Sequence, residues 1–255
     1  MSNDIPESLS RFFQSHRRVA IAFSGGCDSS YLLYAARKCN AEFRAYTVET
    51  AFRSPVEQKD SKKVCDLLGV YPTIIDVDPL QYPEITSNGE DRCYLCKKLI
   101  FTSIQRRAWL DGFQDICDAT NGTDDPSDRP GMRALTELGV LSPLKDAGLD
   151  KAYIRLLSRD AGLPTWDSPS DSCLATRIST GIPITEENLL RTFEAETTLH
   201  GMGFKGIRAR SLSDGSCRLE ILDNQKEFLE EHEAEVSDLL KGLYTSYTVS
   251  TRKAR

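Results

Sequence analysis

Residues 24–29, Ser-Gly-Gly-Cys-Asp-Ser, put two hydroxyls, a carboxylate and two glycines into six positions. An apolar run from Val19 to Phe23 leads into them, and a helical pattern starts near Asp28. A strand that breaks into glycines and turns straight into a helix makes an anion cradle. Glycine lets backbone N–H groups face inward, and the helix N terminus adds positive potential. Ser24 and Ser29 can donate hydroxyls to phosphate oxygens, and Asp28 can orient amides or hold Mg2+. Neither the dinucleotide fingerprint G-x-G-x-x-G nor GxxxxGK(S/T) is present, since no lysine follows the glycines. The structural alternative is an ordinary strand–turn–helix junction.

Three of the eight cysteines form the second candidate constellation. Cys93 and Cys96 stand in a C-x-x-C, and Cys173 lies in a Ser/Asp/Pro-rich loop, DSPSDSCLATR. Three thiolates can hold a [4Fe–4S] cluster with one iron left open, and an open iron can bind a sulfide. A redox or persulfide role, or inert thiols, stay open on the residues alone. Structural zinc lacks a fourth soft ligand, because His16, His200 and His232 are poorly placed for one. Cys39, Cys65, Cys117 and Cys217 fall in regular elements and read as small core residues, and Cys27 reads as structural.

The elements that must position these groups alternate. A short helix is expected over 5–16, strands over 19–23, 42–49 and 71–77, and helices over 28–38 and 55–68. A polar loop, SNGED, leads to Cys93, and a helix follows to about residue 110. A fourth strand, 113–119, delivers Asn121, Asp124 and Asp125 at its C-terminal end, where open α/β sheets bind ligands. A brief helix over 134–139, an extended VLSPL at 140–144 and a helix over 150–161 come next. The strand–helix alternation predicts a parallel α/β sheet. Residues 164–184 are turn-rich. Beyond them a helix to about 200, strands at 205–213 and 218–221 joined by an Asp214-Gly215 turn, a helix over 224–241 and a strand over 243–250 predict a small α+β unit. The expected division is 1–180 and 181–255. Trp109 and Trp166 read as packing residues, with Trp166 nearer the site and able to line the pocket as the alternative.

At 255 residues the chain suits one large and one small domain. A formal charge of −6 argues against a broad nucleic-acid surface. No apolar stretch approaches the roughly 18 residues of a membrane span, and the polar N terminus lacks a signal core, so a cytoplasmic protein is expected.

SGGCDS resembles the pyrophosphate loop, SGGxDS, of the PP-loop ATP pyrophosphatases, which split ATP between the α and β phosphates and adenylate a substrate. Further segments resemble one family among them, LarE: RCYLCKK at 92–98, DATNGTDDPSDRPGMRAL at 118–135, SPL at 142–144, DSPSDSCLATRI at 167–178, IRAR at 207–210 and RLEI at 218–221. The similarity spans nearly the whole chain. It implies a sulfur transferase that uses ATP and Mg2+ to adenylate pyridinium-3,5-biscarboxylic acid mononucleotide and convert its carboxylates to thiocarboxylates. One subgroup sacrifices the sulfur of the cysteine matching Cys173. Another holds a [4Fe–4S] cluster on three cysteines and draws on a sulfide source, and Cys93, Cys96 and Cys173 resemble that set. The resemblance also implies a homo-oligomer, with a hexamer as the expected form.

Ser24, Gly25, Gly26, Asp28 and Ser29 are the expected phosphate ligands. Asn121 and Arg133 are further nucleotide candidates. Asp124 or Asp125 could hold Mg2+, with a capping or Asx-turn role as the structural alternative. Arg177 could meet the substrate, or form a loop-anchoring salt bridge. Arg208 and Arg210 share a strand face, which suits a doubly anionic nucleotide. Glu220 is a candidate divalent-ion ligand, and a pair with Arg218 or Arg210 is the simpler reading. The rivals are a tRNA thiolase, an amide-forming synthetase, or a non-catalytic iron–sulfur or nucleotide-sensing protein. The first would show a basic RNA-binding face.

Overall fold

The computed structural model describes residues 5–53, 55–124, 131–168 and 172–253. In chain order the elements are α1 (Glu7–Ser15), β1 (Arg18–Ala22), α2 (Cys27–Lys38), β2 (Glu42–Glu49), α3 (Pro55–Leu68) and β3 (Thr73–Asp76). Then come α4 (Pro83–Thr86), α5 (Arg92–Leu110), β4 (Asp115–Cys117), α6 (Gly131–Glu137), α7 (Pro143–Asp146) and α8 (Lys151–Asp160). The last are α9 (Glu186–Met202), β5 (Arg208–Ser211), β6 (Cys217–Leu222), α10 (Lys226–Glu231), α11 (Glu233–Leu243) and β7 (Tyr247–Arg252).

The chain divides into two compact units. The first holds 1–50, 57–77 and 93–168, and the second holds 51–56, 78–92 and 169–255.

The first unit is an α/β sheet in the order β3-β2-β1-β4, with every pairing parallel. Both faces are covered, so β1 is apolar on alternate residues in both directions. Val19 and Ile21 join a core with α1, α2 and α8, and Ala20 joins the opposite one with Phe101, Ile104 and Ala108 of α5. The chain runs β1, β2, β3 to one side and returns to the other side of β1 with β4. That reversal opens a crevice at the strands' C-terminal ends between β1 and β4.

The second unit carries a three-stranded sheet, β5-β6-β7. β5 and β6 are antiparallel, Arg208 facing Glu220 and Arg210 facing Arg218, and β6 pairs with β7 in parallel. Its core gathers Ala195 and Leu199 of α9, Phe204, Leu219, Ile221, Val236 and Leu240. α9 starts in a capping box between Thr185 and Asn188 and ends at Gly203, whose φ of 112° needs a residue without a Cβ.

Four expectations are corrected. Cys93 and Cys96 lie inside α5, not ahead of it. In the segment VLSPL only Leu141 bridges Cys117, because Pro143 opens the short helix α7. The helix expected over 224–241 is broken at His232, whose ring lies tilted against Phe228 with centroids 4.3 Å apart and whose backbone departs from helical geometry at φ −115°, ψ 18°. Trp109 and Trp166 are exposed, against the packing role expected for them.

Candidate functional site

β1 ends at Ala22, and the SGGCDS loop follows at the crevice. Gly25 has φ 90°, a conformation that a side chain resists, and Gly26 stands at the N-cap position of α2. The loop is closed by its own hydroxyls. Gly26 N–H donates to Ser24 Oγ at 3.3 Å, Ser24 and Ser29 hydroxyls are 3.2 Å apart, and Ser29 and Ser30 hydroxyls donate to Gly26 O at 3.1 and 2.8 Å. Among the described residues no N-cap side-chain hydrogen bond closes α2, and the N terminus of a helix suits an anion.

Asp28 is held by two groups from other elements. Lys151 Nζ donates to its two carboxylate oxygens at 2.8 and 2.7 Å, and Asn121 Nδ2 donates to Oδ2 at 3.2 Å. Both side chains of the ion pair are largely covered. Lys151 is the first residue of α8, next to the N-cap Asp150, whose carboxylate accepts from Tyr153 N–H at 2.7 Å. A cation in the first turn of a helix opposes the helix dipole. That unfavourable placement is the one sequence signal that could have marked Lys151, which the sequence reading passed over.

Asn121 is positioned by a polar scaffold just past β4. Asp118, buried, accepts from the Thr120 hydroxyl and from Ser142 Oγ at 2.7 Å. Gly122 N–H donates to Leu149 O at 2.7 Å, and a Cβ on Gly122 would come within 3.1 Å of that oxygen, so the approach needs glycine. Asp124 Oδ2 accepts from Asn121 N–H at 3.1 Å, while Asn121 Oδ1 accepts from Thr123 N–H at 2.9 Å. Asn121 thus forms the Asx-turn, and Asp124 caps that turn, the capping role weighed as its structural alternative. Asp125 lies outside the described residues. Arg133 lies at the start of α6. Its guanidinium lies 3.8 Å from the Tyr94 ring centroid and 3.8 Å from Glu137.

Cys27, the variable residue of the loop, packs between α2 and α8, with its thiol donating to Ser158 Oγ at 3.5 Å. Burial pushes its thiol up, and does the same for Cys65, Cys117 and Cys217, the last to about 12. These thiols are inert core groups. Cys93 and Cys96 differ. Both are half-buried and one turn apart on α5, so they share a helix face. Such a thiolate pair fits two ligands of an iron–sulfur cluster. Cys173, also half-buried, belongs to the second unit. Among the described residues, no group of three or more His, Cys, Asp or Glu side chains is gathered so as to hold a metal ion.

Cys173 precedes a 3-10 turn, Leu174–Arg177, in a loop held from several sides. Thr176 Oγ1 donates to Cys173 O at 2.7 Å, and Leu174 N–H donates to Phe52 O at 2.8 Å. Arg177 is fully buried. It forks onto Glu196, also fully buried, through Nε at 2.6 Å and Nη2 at 3.1 Å, and its Nη1 donates to Ser172 O and Oγ. The guanidinium therefore anchors the loop to α9, which is the structural alternative given for it.

Arg208 and Arg210 do share the less buried face of β5. Arg210 is engaged, donating to Glu220 Oε1 at 2.5 Å and to Thr176 O at 2.8 Å. Burial and the neighbouring Arg252, Arg177 and Arg210 lower Arg208 to about 10, and its buried Nε has no hydrogen-bond partner among the described residues. Such a group calls for an anion. Burial raises the Glu220 carboxyl, but Arg210, Arg208 and Arg218 outweigh it and hold the carboxyl below its ordinary value. A carboxylate ringed by guanidinium groups is a poor cation ligand, so the divalent-ion role considered for Glu220 does not fit its surroundings.

A parallel sheet with SGGCDS at its switch point defines an ATP-using PP-loop domain. The asparagine synthase family profile matches residues 4–87. An uncharacterized protein of Synechocystis sp. is 33% identical over 220 residues, 86% of this chain and 82% of the relative. The pyridinium-3,5-bisthiocarboxylic acid mononucleotide synthase of Lactiplantibacillus plantarum is 27% identical over 207 residues, 80% of this chain and 75% of that protein. An uncharacterized protein of Methanocaldococcus jannaschii is 26% identical over 218 residues, 86% of this chain and 83% of the relative. The chain belongs to the LarE family of PP-loop proteins. No helix among the described residues is long and apolar enough to cross a membrane.

Proposed function

We propose that this protein is an ATP-dependent sulfurtransferase acting on pyridinium-3,5-biscarboxylic acid mononucleotide. The observation that carries the reading is the SGGCDS loop with Asp28 tied to Lys151 and Asn121, taken with the similarity to a synthase named for the bisthiocarboxylic product. In the proposed cycle a substrate carboxylate oxygen attacks the α-phosphorus of ATP. The bond to the α–β bridging oxygen breaks, and pyrophosphate leaves with the electron pair. Sulfide then adds to the acyl carbon, the bond from that carbon to the AMP oxygen breaks, and AMP leaves behind a thiocarboxylate.

Ser24, Ser29 and the N–H groups of Gly25 and Gly26 receive the pyrophosphate, where preorganised donors act on developing charge. Lys151 is the cation that the loop itself lacks. Asp28 orients it in the ligand-free protein and holds Mg2+ with ATP bound, with Asp124 or Asp125 as a second carboxylate. Arg208, with Arg210 beside it, takes the phosphate of the mononucleotide. Cys93, Cys96 and Cys173 would hold a [4Fe–4S] cluster, which supplies bound sulfide when present. Homo-oligomerisation and a cytoplasmic location belong to the same proposal.

The test is pyrophosphate release with MgATP and each candidate acceptor. Release that requires the pyridinium dicarboxylate mononucleotide and ignores tRNA supports the reading. Release that requires tRNA, or none with the pyridinium compound, overturns it. Anaerobic reconstitution followed by visible and EPR spectra tests the cluster. A protein that stays colourless while Cys173 loses its sulfur during turnover replaces the cluster with a sacrificial cysteine.

A further inference from the structure

The Cys173 loop is gripped, beyond its Arg177 anchor, by two residues that no catalytic role involves. Asn88 is fully buried in the segment after α4, with φ 57°, the left-handed region in which asparagine is one of the few tolerated side chains. Its Nδ2 donates to three carbonyls of the loop: Ile178 O at 3.3 Å, Ser179 O at 2.9 Å and Ile182 O at 2.8 Å. Its own carbonyl accepts from Gly181 N–H at 2.9 Å. Arg92 Nη1 donates to Asn88 Oδ1 at 2.5 Å and to Ala175 O at 2.9 Å, two residues past Cys173. Ile184 N–H donates to Thr86 O at 2.7 Å, so the clasp continues along the backbone.

This is a large investment of buried polar groups in a stretch without regular structure. A loop of this composition otherwise explores many conformations. Sulfur transfer needs its sulfur atom within a fraction of an ångström of the attack geometry.

We propose that Asn88 and Arg92 are positioning residues of the sulfur-transfer step: they fix the backbone on the C-terminal side of Cys173, and with it the direction of the Cys173 thiol. The proposal rests on the sulfurtransferase reading for its kinetic part. Its structural part, that these two residues set the exposure of Cys173, stands apart from it.

The informative variant is Asn88→Gly, because glycine keeps φ 57° without strain and loses only the amide bonds. Arg92→Met removes the guanidinium, and Arg92→Lys keeps a cationic donor on a shorter, non-planar head group. Two readouts are taken on the full chain, with a thermal melt confirming that each variant folds. The first is the rate of Cys173 alkylation by iodoacetamide in cluster-free protein, mapped by mass spectrometry. The second is the ratio of thiocarboxylate formed to pyrophosphate released. Loss of two or three loop bonds is expected to raise the alkylation rate about tenfold and to lower the ratio about tenfold, with Arg92→Lys in between. Pyrophosphate release stays near wild type. Unchanged alkylation in Asn88→Gly and Arg92→Met overturns the proposal. So does a fall of pyrophosphate release in step with thiocarboxylate. If wild-type protein releases no pyrophosphate with the pyridinium substrate, the sulfurtransferase reading fails and the alkylation arm alone decides the positioning role.

Discussion

Replacing Arg177 by methionine separates its two conceivable roles. Arg177 and Glu196 are both fully buried, and the fork between them measures 2.6 and 3.1 Å. Methionine keeps the length of the side chain but leaves Glu196 as a buried carboxylate, retaining the Ala209 N–H at 2.9 Å. Breaking one partner of a buried pair costs about 3–5 kcal/mol. For a chain of this size each kcal/mol moves Tm by about 2–4 °C, so R177M should melt about 10 °C lower. The compensating variant is R177M/E196Q. Glutamine removes the orphaned charge and keeps an acceptor for Ala209, so the double variant should recover about 2 kcal/mol of the loss. Differential scanning fluorimetry and urea midpoints read both. An R177M protein that melts within about 2 °C of wild type refutes the reasoning, as does E196Q adding to the loss. If R177M keeps its stability and raises only the KM for the mononucleotide, Arg177 is a substrate ligand after all.

K151M should weaken ATP binding about tenfold or more, the loss of one charge-assisted bond, while AMP binding is unmoved; equal effects on both nucleotides would contradict its assignment to the pyrophosphate. Gly25→Ala forces a side chain into φ 90° and should cost about 1–2 kcal/mol in a urea melt, together with most of the pyrophosphate release. Glu220 titrates below its ordinary value in the fold, so the stability it contributes is present above the unfolded carboxylate pKa and lost as pH falls through the lower folded one. E220Q should therefore flatten the acid limb of stability below about pH 4.5, and an unchanged limb would contradict the ion-pair account. Cys27→Ala should leave sulfur transfer unaltered, since the Cys27 thiol is buried against Ser158. A loss of transfer there, with adenylation intact, would reopen its role.

The α/β class and the site of the loop were legible because they depend on local signals. Val19 to Phe23 reads as a strand buried on both faces, and two glycines with serines mark the turn. β2 and α3 fall where alternation and Pro55 put them. Less legible was whatever depends on contacts distant in sequence. Lys151 reaches Asp28 across 123 positions, and Asn88 reaches Ile178 across 90. Nothing at either end announces the pairing, apart from the cation set against the α8 dipole. Arg177 and Glu196 could not be told from exposed charges, because burial of a charged pair leaves no composition signal. Ends of elements were lost to individual residues: Pro143 starting a turn of helix, His232 stopping one.

The central claim is that the SGGCDS loop prepares an acyl adenylate and that sulfur takes the place of AMP. Anaerobically reconstituted full-length protein given MgATP, pyridinium-3,5-biscarboxylic acid mononucleotide and isotope-labelled sulfide tests it by the mass of the recovered nucleotide. The account predicts exchange of carboxylate oxygen for labelled sulfur, dependent on ATP, one AMP per sulfur, and abolished in Asp28→Asn. A product that carries no sulfur while AMP accumulates, or sulfur incorporation without ATP, would contradict it.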